Sequence, residues 1–222
     1  MTPTLTIATP TFPGRETELL DRCMPSVRAL DWPVVEHVIV SDRNPDLRAE
    51  FDRYVKLNHP DRPVRFVEIN ETWRNAETEK LVGAVPWMLC SYLAMGDFVG
   101  FLGDDDELFP HHARTHIEAM QAGNALWSLS QVDFRVNGAP YLIIGDESYE
   151  LGHLDTTGIM CYKDALSVAR WNPWAGENAT DWQMVNDWRK AGLPGVFIPQ
   201  ITGIHHDGWA AGKSGRPDRP KG

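Results

Sequence analysis

Apolar positions come in two kinds of run that alternate along the first half of the chain. Leu5–Ala8 (LTIA), Val34–Val40 (VVEHVIV), Val64–Ile69 (VRFVEI) and Phe98–Leu102 (FVGFL) are short and rich in β-branched or aromatic residues, so they read as buried strands. The first meets the breaker cluster Pro10 to Gly14, and the second stops at Ser41-Asp42-Arg43-Asn44-Pro45. Between them lie segments of helical period. Leu19, Leu20, Cys23, Met24 and Val27 give Glu16–Leu30 one apolar face, although Pro25 is expected to kink or end that helix. A polar helix is predicted from about Pro45 to Leu57, and an apolar one over Leu81–Met95, ended by Gly96. Strand and helix thus alternate up to Gly103, the pattern of a parallel, doubly wound sheet.

The second half has a different rhythm. Leu126–Val136 alternates, Asn137-Gly138 makes a hairpin turn, and Tyr141–Ile144 returns, which adds an antiparallel hairpin to the sheet. Asp155–Tyr162 is predicted as a further strand. Thr180 can cap a helix over Asp181–Ala191, which Gly192 and Pro194 stop, and Val196–Ile204 is a last strand. The end is rich in Gly and Pro and holds Lys213, Arg216, Arg219 and Lys221 against Asp218. The expectation is one α/β domain over 1–212, divided at about 107 into two halves, and a flexible basic tail over 213–222.

Composition narrows the class. The 222 residues carry 21 Lys+Arg against 31 Asp+Glu, a formal charge of -10, which disfavours broad nucleic-acid binding. A hydrophobic share of 42% excludes a disordered chain, and the length suffices for a core without disulfide staples. Cys23, Cys90 and Cys161 are far apart and lack CxxC spacing, so they read as reduced thiols in a cytosolic protein. The N-terminus has no basic flank before a long apolar run, and no stretch approaches the ~20 apolar residues of a membrane span. A cytoplasmic location without an anchor follows as the expectation. Neither GxGxxG, GxxxxGK[ST] nor GxSxG occurs, which removes dinucleotide, P-loop and serine-hydrolase readings. Of the nine tryptophans, Trp127 and Trp188 are expected in the core, and Trp174 in an exposed polar loop.

The sharpest signal is Asp104-Asp105-Asp106-Glu107, directly after the apolar strand FVGFL. Ligands in such sheets sit at the carboxyl ends of strands. Four successive acids repel one another, and a divalent cation relieves that repulsion. Mg²⁺ or Mn²⁺ commonly bridges one or two carboxylates to substrate phosphates.

These pieces, in this order, resemble the GT-A nucleotide-sugar glycosyltransferases, above all the large inverting family 2 group that includes cellulose and chitin synthases. LTIATPTFPGRETELLDRCMPSV is similar to the first strand, nucleotide loop and helix. HVIVSDRNPD resembles the second strand with its terminal acid, AMGDFVGFLGDDDELFP the strand that runs into the DXD motif, and ATDWQMVNDWRKAG the segment with the catalytic acid. The resemblance covers most of 4–206. It implies a Rossmann-like GT-A sheet, mostly parallel, with helices on both faces, and a first half that binds the nucleotide while the second binds the acceptor.

By that resemblance Pro10, Thr11 and Phe12 wrap the base, with Arg15 near base or phosphates, and Asp42 hydrogen-bonds the base. The usual Leu-Asp-x-Asp-Asp reads Leu102-Gly103-Asp104-Asp105-Asp106, with glycine in place of the first acid. Asp104 or Asp105 would contact the ribose, and Asp106 the metal. Asp181 matches the general base, although the Glu that usually precedes it is Thr180, and Glu177 is its alternative. Adjacent histidines on a strand face opposite ways, so one of His205 and His206 can join the metal, and His206 is chosen. Lys213 is placed on the leaving diphosphate. The resemblance therefore implies a metal-dependent inverting transfer from a nucleoside diphosphate sugar, taken as a UDP-sugar, with Mn²⁺ or Mg²⁺ and an acceptor of unknown kind. The rivals are a nucleotidyltransferase, which normally needs a more glycine-rich first loop, and a non-catalytic nucleotide-sugar-binding relative.

Overall fold

A computed structural model describes residues 3–32, 35–42, 44–58, 63–69, 84–172 and 180–207. Among these, nine strands form one sheet: β1 (Leu5–Thr11), β2 (Val35–Asp42), β3 (Val64–Ile69), β4 (Phe98–Phe101), β5 (Glu107–Leu108), β6 (Trp127–Val136), β7 (Ala139–Ile144), β8 (Ile159–Tyr162) and β9 (Gly195–Asp207). Their order is β3-β2-β1-β4-β8-β6-β9-β5, with β7 extending the sheet beside β6. The first four strands run parallel, β8 lies antiparallel to β4 and β6, and β6 and β9 run parallel again. The mixed sheet and the β6–β7 hairpin agree with the sequence pattern.

Both faces of the parallel half are covered, which is why β1 and β4 bury every residue and carry apolar side chains on both sides. Leu5, Ile7, Ile39, Phe98 and Leu102 point to one side. There they meet the first helical segment (α1, 16–28), α2 (Pro45–Asn58) and α4 (His112–Ala122). Ala8, Val38, Val40, Val99 and Phe101 point to the other side, toward α3 (Ala84–Leu93) and α5 (Thr180–Lys190). Trp127 and Trp188 are buried in that second layer, as expected. Trp188 also ties α5 to the one-turn helix Lys163–Ser167, its indole N–H donating to the carbonyls of Ala165 at 2.9 Å and Ala169 at 3.1 Å.

Two local expectations are corrected. Pro25 does not break α1. A π-helical turn, Leu19–Cys23, joins the α-helical Glu16–Glu18 to Met24–Arg28, and the Met24 N–H reaches back to the Leu19 carbonyl. Pro25 then falls in the first two positions of Met24–Arg28, where a helix tolerates a missing N–H. The strand expected from Asp155 begins only at Ile159. Asp155 instead caps a 3₁₀ turn, Thr156–Gly158, by accepting the Thr157 N–H at 2.9 Å. No helix among the described residues is long and apolar enough to cross a membrane.

Candidate active site

Parallel strands end at one edge of the sheet, so β1, β2 and β4 present their carboxyl ends together. Thr11 on β1 is in register with Ser41 on β2, and Asp42 closes β2. β4 leads through Leu102 into a tight turn in which the Asp106 N–H donates to the Gly103 carbonyl at 3.2 Å. That turn aims the three acids differently.

Asp104 points inward. It is 4% exposed, and burial together with Asp105 pushes its carboxyl up to about 8. The Thr11 hydroxyl and Arg15 pull the other way. Even so, Thr11 Oγ1 and Asp104 Oδ2 are buried without closing a hydrogen bond to any described group, and Ser41 Oγ is in the same state. Polar atoms left this way at a strand edge can be satisfied by water or by a polar ligand. Asp105 faces Arg15, whose guanidinium donates to Oδ2 at 2.7 Å and lies over the Phe12 ring at 5.4 Å. Burial and Asp106 push the Asp105 carboxyl up to about 6 against that pairing. Arg22, on the π-helical turn, donates to the Asp105 carbonyl at 2.9 Å and stands 3.7 Å from Glu107. Sequence reasoning did not find Arg22, because a helical period places it on the polar face and says nothing of what that face meets.

Asp106 turns toward the second half of the sheet. Its Oδ2 accepts the Thr157 hydroxyl at 2.9 Å and lies 3.3 Å from His205 Nδ1, while Oδ1 accepts the His206 N–H at 2.9 Å. His205 Nδ1 is also 3.1 Å from Asp155 Oδ2. Burial works against the His205 imidazolium, yet Asp106 and Asp155 hold its pKa well above the usual range. Burial likewise disfavours the Asp155 carboxylate, and His205 together with hydrogen bonds from Thr157 outweighs it, holding the carboxyl below its usual range. The His205 ring lies flat on Phe134, centroids 4.7 Å apart and planes at 11°. Asp106, Asp155 and His205 thus each offer one ligand atom, all within 4.8 Å of one another.

His206 is the metal ligand expected from the sequence. The two side chains do diverge on β9, but His205 is the one delivered to Asp106, and His206 Nε2 meets Glu107 Oε1 at 2.8 Å. Asp155 was missed because it was read as part of a strand, and its approach to Asp106 spans about fifty positions of sequence.

Asp181 opens α5. Its Oδ1 accepts the Trp182 N–H at 2.7 Å and Oδ2 accepts the Thr156 hydroxyl at 3.1 Å. The residue is half-buried with its carboxyl drawn inward. Burial pushes that carboxyl up to about 6, with the nearby Asp155 charge adding to the rise. Pro10 is buried at the end of β1. Lys213, Trp174, Glu177 and the tail lie outside the described residues.

Gly103, the departure from the resembled acidic pattern, has a physical reason here. A Cβ at this position would stand 2.6 Å from Asp106 Oδ2. No side chain fits while Asp106 keeps the position that Thr157, His205 and the β9 backbone give it.

The chain matches no protein-family model, and comparison with curated proteins finds no relative. Solved structures do match. TarS 1–349 of S. aureus superposes with a TM-score of 0.68 at 10% identity, over 91% of this chain and 60% of that one. Its complex with UDP-GlcNAc gives 0.65 at 12%, over 92% and 58%. The mannosyltransferase PcManGT from Pyrobaculum calidifontis, in complex with GDP-Man and Mn²⁺, gives 0.70 at 12%, over 92% and 57%. The chain spans about three fifths of the length of these neighbours. The fold of this chain is therefore the one these glycosyltransferase structures have.

Proposed function

We propose that the protein is a metal-dependent, inverting glycosyltransferase that moves a sugar from a nucleoside diphosphate sugar to an acceptor hydroxyl. The observation that carries the reading is the convergence of Asp106, Asp155 and His205 beside the edge where Thr11, Ser41 and Asp104 leave buried polar atoms open. Two hard carboxylates and one borderline imidazole suit Mn²⁺ or Mg²⁺. The raised pKa of His205 fits as well, because it reports a place where positive charge is favoured. A divalent ion held there would supply charge neutralisation for the leaving diphosphate.

The chain's own residues supply the remainder. Pro10, Thr11, Phe12, Asp42 and Asp104 bind the nucleoside. Asp105 shares the ribose contact with Asp104, Arg15 lies near base or phosphates, and Lys213 meets the leaving diphosphate. Asp181 is the general base. Its carboxylate removes the acceptor proton as the acceptor oxygen bonds to the anomeric carbon, and the anomeric C–O bond to the diphosphate breaks on the opposite face. A carboxyl raised to about 6 remains ionised at neutral pH and is more basic than an exposed one. UDP is the nucleotide we favour, since TarS is seen with UDP and UDP-GlcNAc. The neighbour with GDP-Man makes guanosine the competing base. Three free, buried cysteines support a reducing, cytoplasmic setting.

A thermal-shift screen of nucleotide sugars with and without Mn²⁺ tests the reading, because a ligand of the native state raises apparent stability. One nucleotide sugar should raise the melting temperature only when Mn²⁺ is present, and Asp106→Asn should remove that shift. Asp181→Asn should keep the shift and stop release of nucleoside diphosphate. A protein that no nucleotide sugar stabilises, or turnover that survives Asp181→Asn, would overturn it. Pyrophosphate release from a nucleoside triphosphate would favour a nucleotidyltransferase.

A further inference from the structure

We propose that Thr156 and Thr157 are paired positioning residues, one holding the general base and the other the cation site, so that a single turn of chain sets the two in register. The inference rests on the reading above, and its evidence is geometric. Three successive residues address three different partners: Asp155 reaches His205 at 3.1 Å, Thr156 donates its hydroxyl to Asp181 at 3.1 Å, and Thr157 donates its hydroxyl to Asp106 at 2.9 Å.

A strand could not do this. Adjacent strand residues face opposite sides of the sheet, and one of the two hydroxyls would enter the helical layer. On a 3₁₀ turn, with three residues per turn, neighbouring side chains diverge by about 120°. Two adjacent hydroxyls can then serve two carboxylates that come from different elements, Asp181 from α5 and Asp106 from the loop after β4. Asp155 makes the turn itself by capping the Thr157 N–H.

The turn is also wedged in place. A Cβ on Gly158 would stand 2.6 Å from the Ser130 carbonyl of β6, and one on Gly203 of β9 would stand 2.8 Å from the Thr157 methyl. Both strands approach the turn as closely as bare backbone allows. A site held this way keeps its geometry before any ligand arrives, which catalytic constellations need. Removing a hydrogen bond to a metal-binding carboxylate typically weakens metal affinity by 10- to 100-fold.

The test uses the whole chain and two readouts that require no donor. One is Mn²⁺ affinity by electron paramagnetic resonance. The other is the ¹³C titration midpoint of the Asp181 carboxyl, assigned with Asp181→Asn. Valine keeps the shape of threonine without its hydroxyl. Thr157→Val should weaken Mn²⁺ binding by about tenfold or more and leave the Asp181 midpoint in place. Thr156→Val should keep the Mn²⁺ affinity and raise the midpoint by about one unit, because the ionised carboxylate loses a donor. The serine variants should restore each value, which a merely structural loss would not allow. Thr157→Ala replaces the valine variant if melting shows that the latter does not fold. Wild-type affinity for Mn²⁺ in Thr157→Val, or an unmoved midpoint in Thr156→Val, overturns this inference and leaves the proposed function standing. A wild-type protein that binds no Mn²⁺ overturns the cation reading itself.

Discussion

Replacing Gly103 by alanine adds one methyl group at the narrowest point of the site. The Cβ would lie 2.6 Å from Asp106 Oδ2, 3.2 Å from its Cγ and 3.4 Å from Asp105 Oδ1. Gly103 is absent from the positive-φ glycines, so the backbone accepts alanine and the conflict is purely one of contact. An unstrained carbon–oxygen contact is about 3.3 Å or more, so Oδ2 must retreat by roughly 0.7 Å. It cannot do so freely. Its bond to the Thr157 hydroxyl is 2.9 Å, and a retreat of that size directly away from Thr157 takes it to about 3.6 Å, outside hydrogen-bonding range. Rotation of the carboxylate would also sacrifice the His206 N–H, held at 2.9 Å by Oδ1.

Two losses follow from that one displacement. Metal ligands tolerate about 0.2 Å, so Mn²⁺ affinity should fall by about 10- to 100-fold. Overpacking a closed site should lower stability by about 1–3 kcal/mol. A paramagnetic resonance titration of Mn²⁺, run well below the melting temperature, measures the first, and a thermal melt measures the second. Gly103→Asp restores an acid to the resembled pattern and should nevertheless bind Mn²⁺ no better than the alanine variant. Wild-type Mn²⁺ affinity in Gly103→Ala would show that the position of Asp106 described here is not the one that binds metal.

Three further outcomes are expected. His112 is fully buried, and burial pushes its pKa down to about 3, so the native state stays neutral while an unfolded histidine titrates near 6.5. The stability this contributes is complete above about pH 6.5 and is lost as pH falls toward 3, at about 1.4 kcal/mol per unit, or ~2 kcal/mol by pH 5. His112→Gln should show a correspondingly shallower decline in urea titrations between pH 6.5 and 5, and parallel curves would contradict the assignment. Cys23, Cys90 and Cys161 are all buried, and burial raises each thiol, that of Cys90 to about 12, so a maleimide should label none of them until denaturant unfolds the chain. Trp188→Phe strips the donor from two carbonyls and leaves a void; a loss of about 2–4 kcal/mol, seen as a melting shift of roughly 5–15 °C, is expected, and an unmoved melt would deny Trp188 its anchoring role.

The parallel half of the fold was legible because its signals are local. A strand buried on both faces is mostly apolar, and Leu5, Ile7, Ala8, Val99 and Phe101 are all fully enclosed. The hairpin was legible for the same kind of reason. Asn137 and Gly138 both sit at positive φ, 51° and 78°, the conformation their residue types accommodate most easily. The π-helical turn was not legible. It ends just before Pro25, and the sequence does not say whether a helix meets a proline by breaking or by widening the turn before it.

At the site the division is sharper. The acids that follow a strand could be found by reading along the chain, because the carboxyl end of a parallel strand is a ligand edge whatever its neighbours are. Which histidine joins them could not, because it depends on the register of β9. His205 is opposite Phe134 in the β6–β9 pairing, and that pairing shifts register between Ser130 and Val132. One residue of slip exchanges the two faces of a strand. The extra residues lie in β9 itself, 199–200 and 202, so the face on which His205 and His206 emerge depends on how many residues those irregularities absorb, a number the sequence does not state. Asp155, Thr156 and Thr157 were hidden for a related reason. DTTGIMCY has the β-branched look of a strand, and only the Asp155 cap turns its first residues into a 3₁₀ turn. The resemblance to sugar transferases supplied the residues proposed to face donor and acceptor. The residues proposed to fix the distance between base and cation site emerge only when the chain is folded, since their roles consist of contacts between elements that no sequence motif joins.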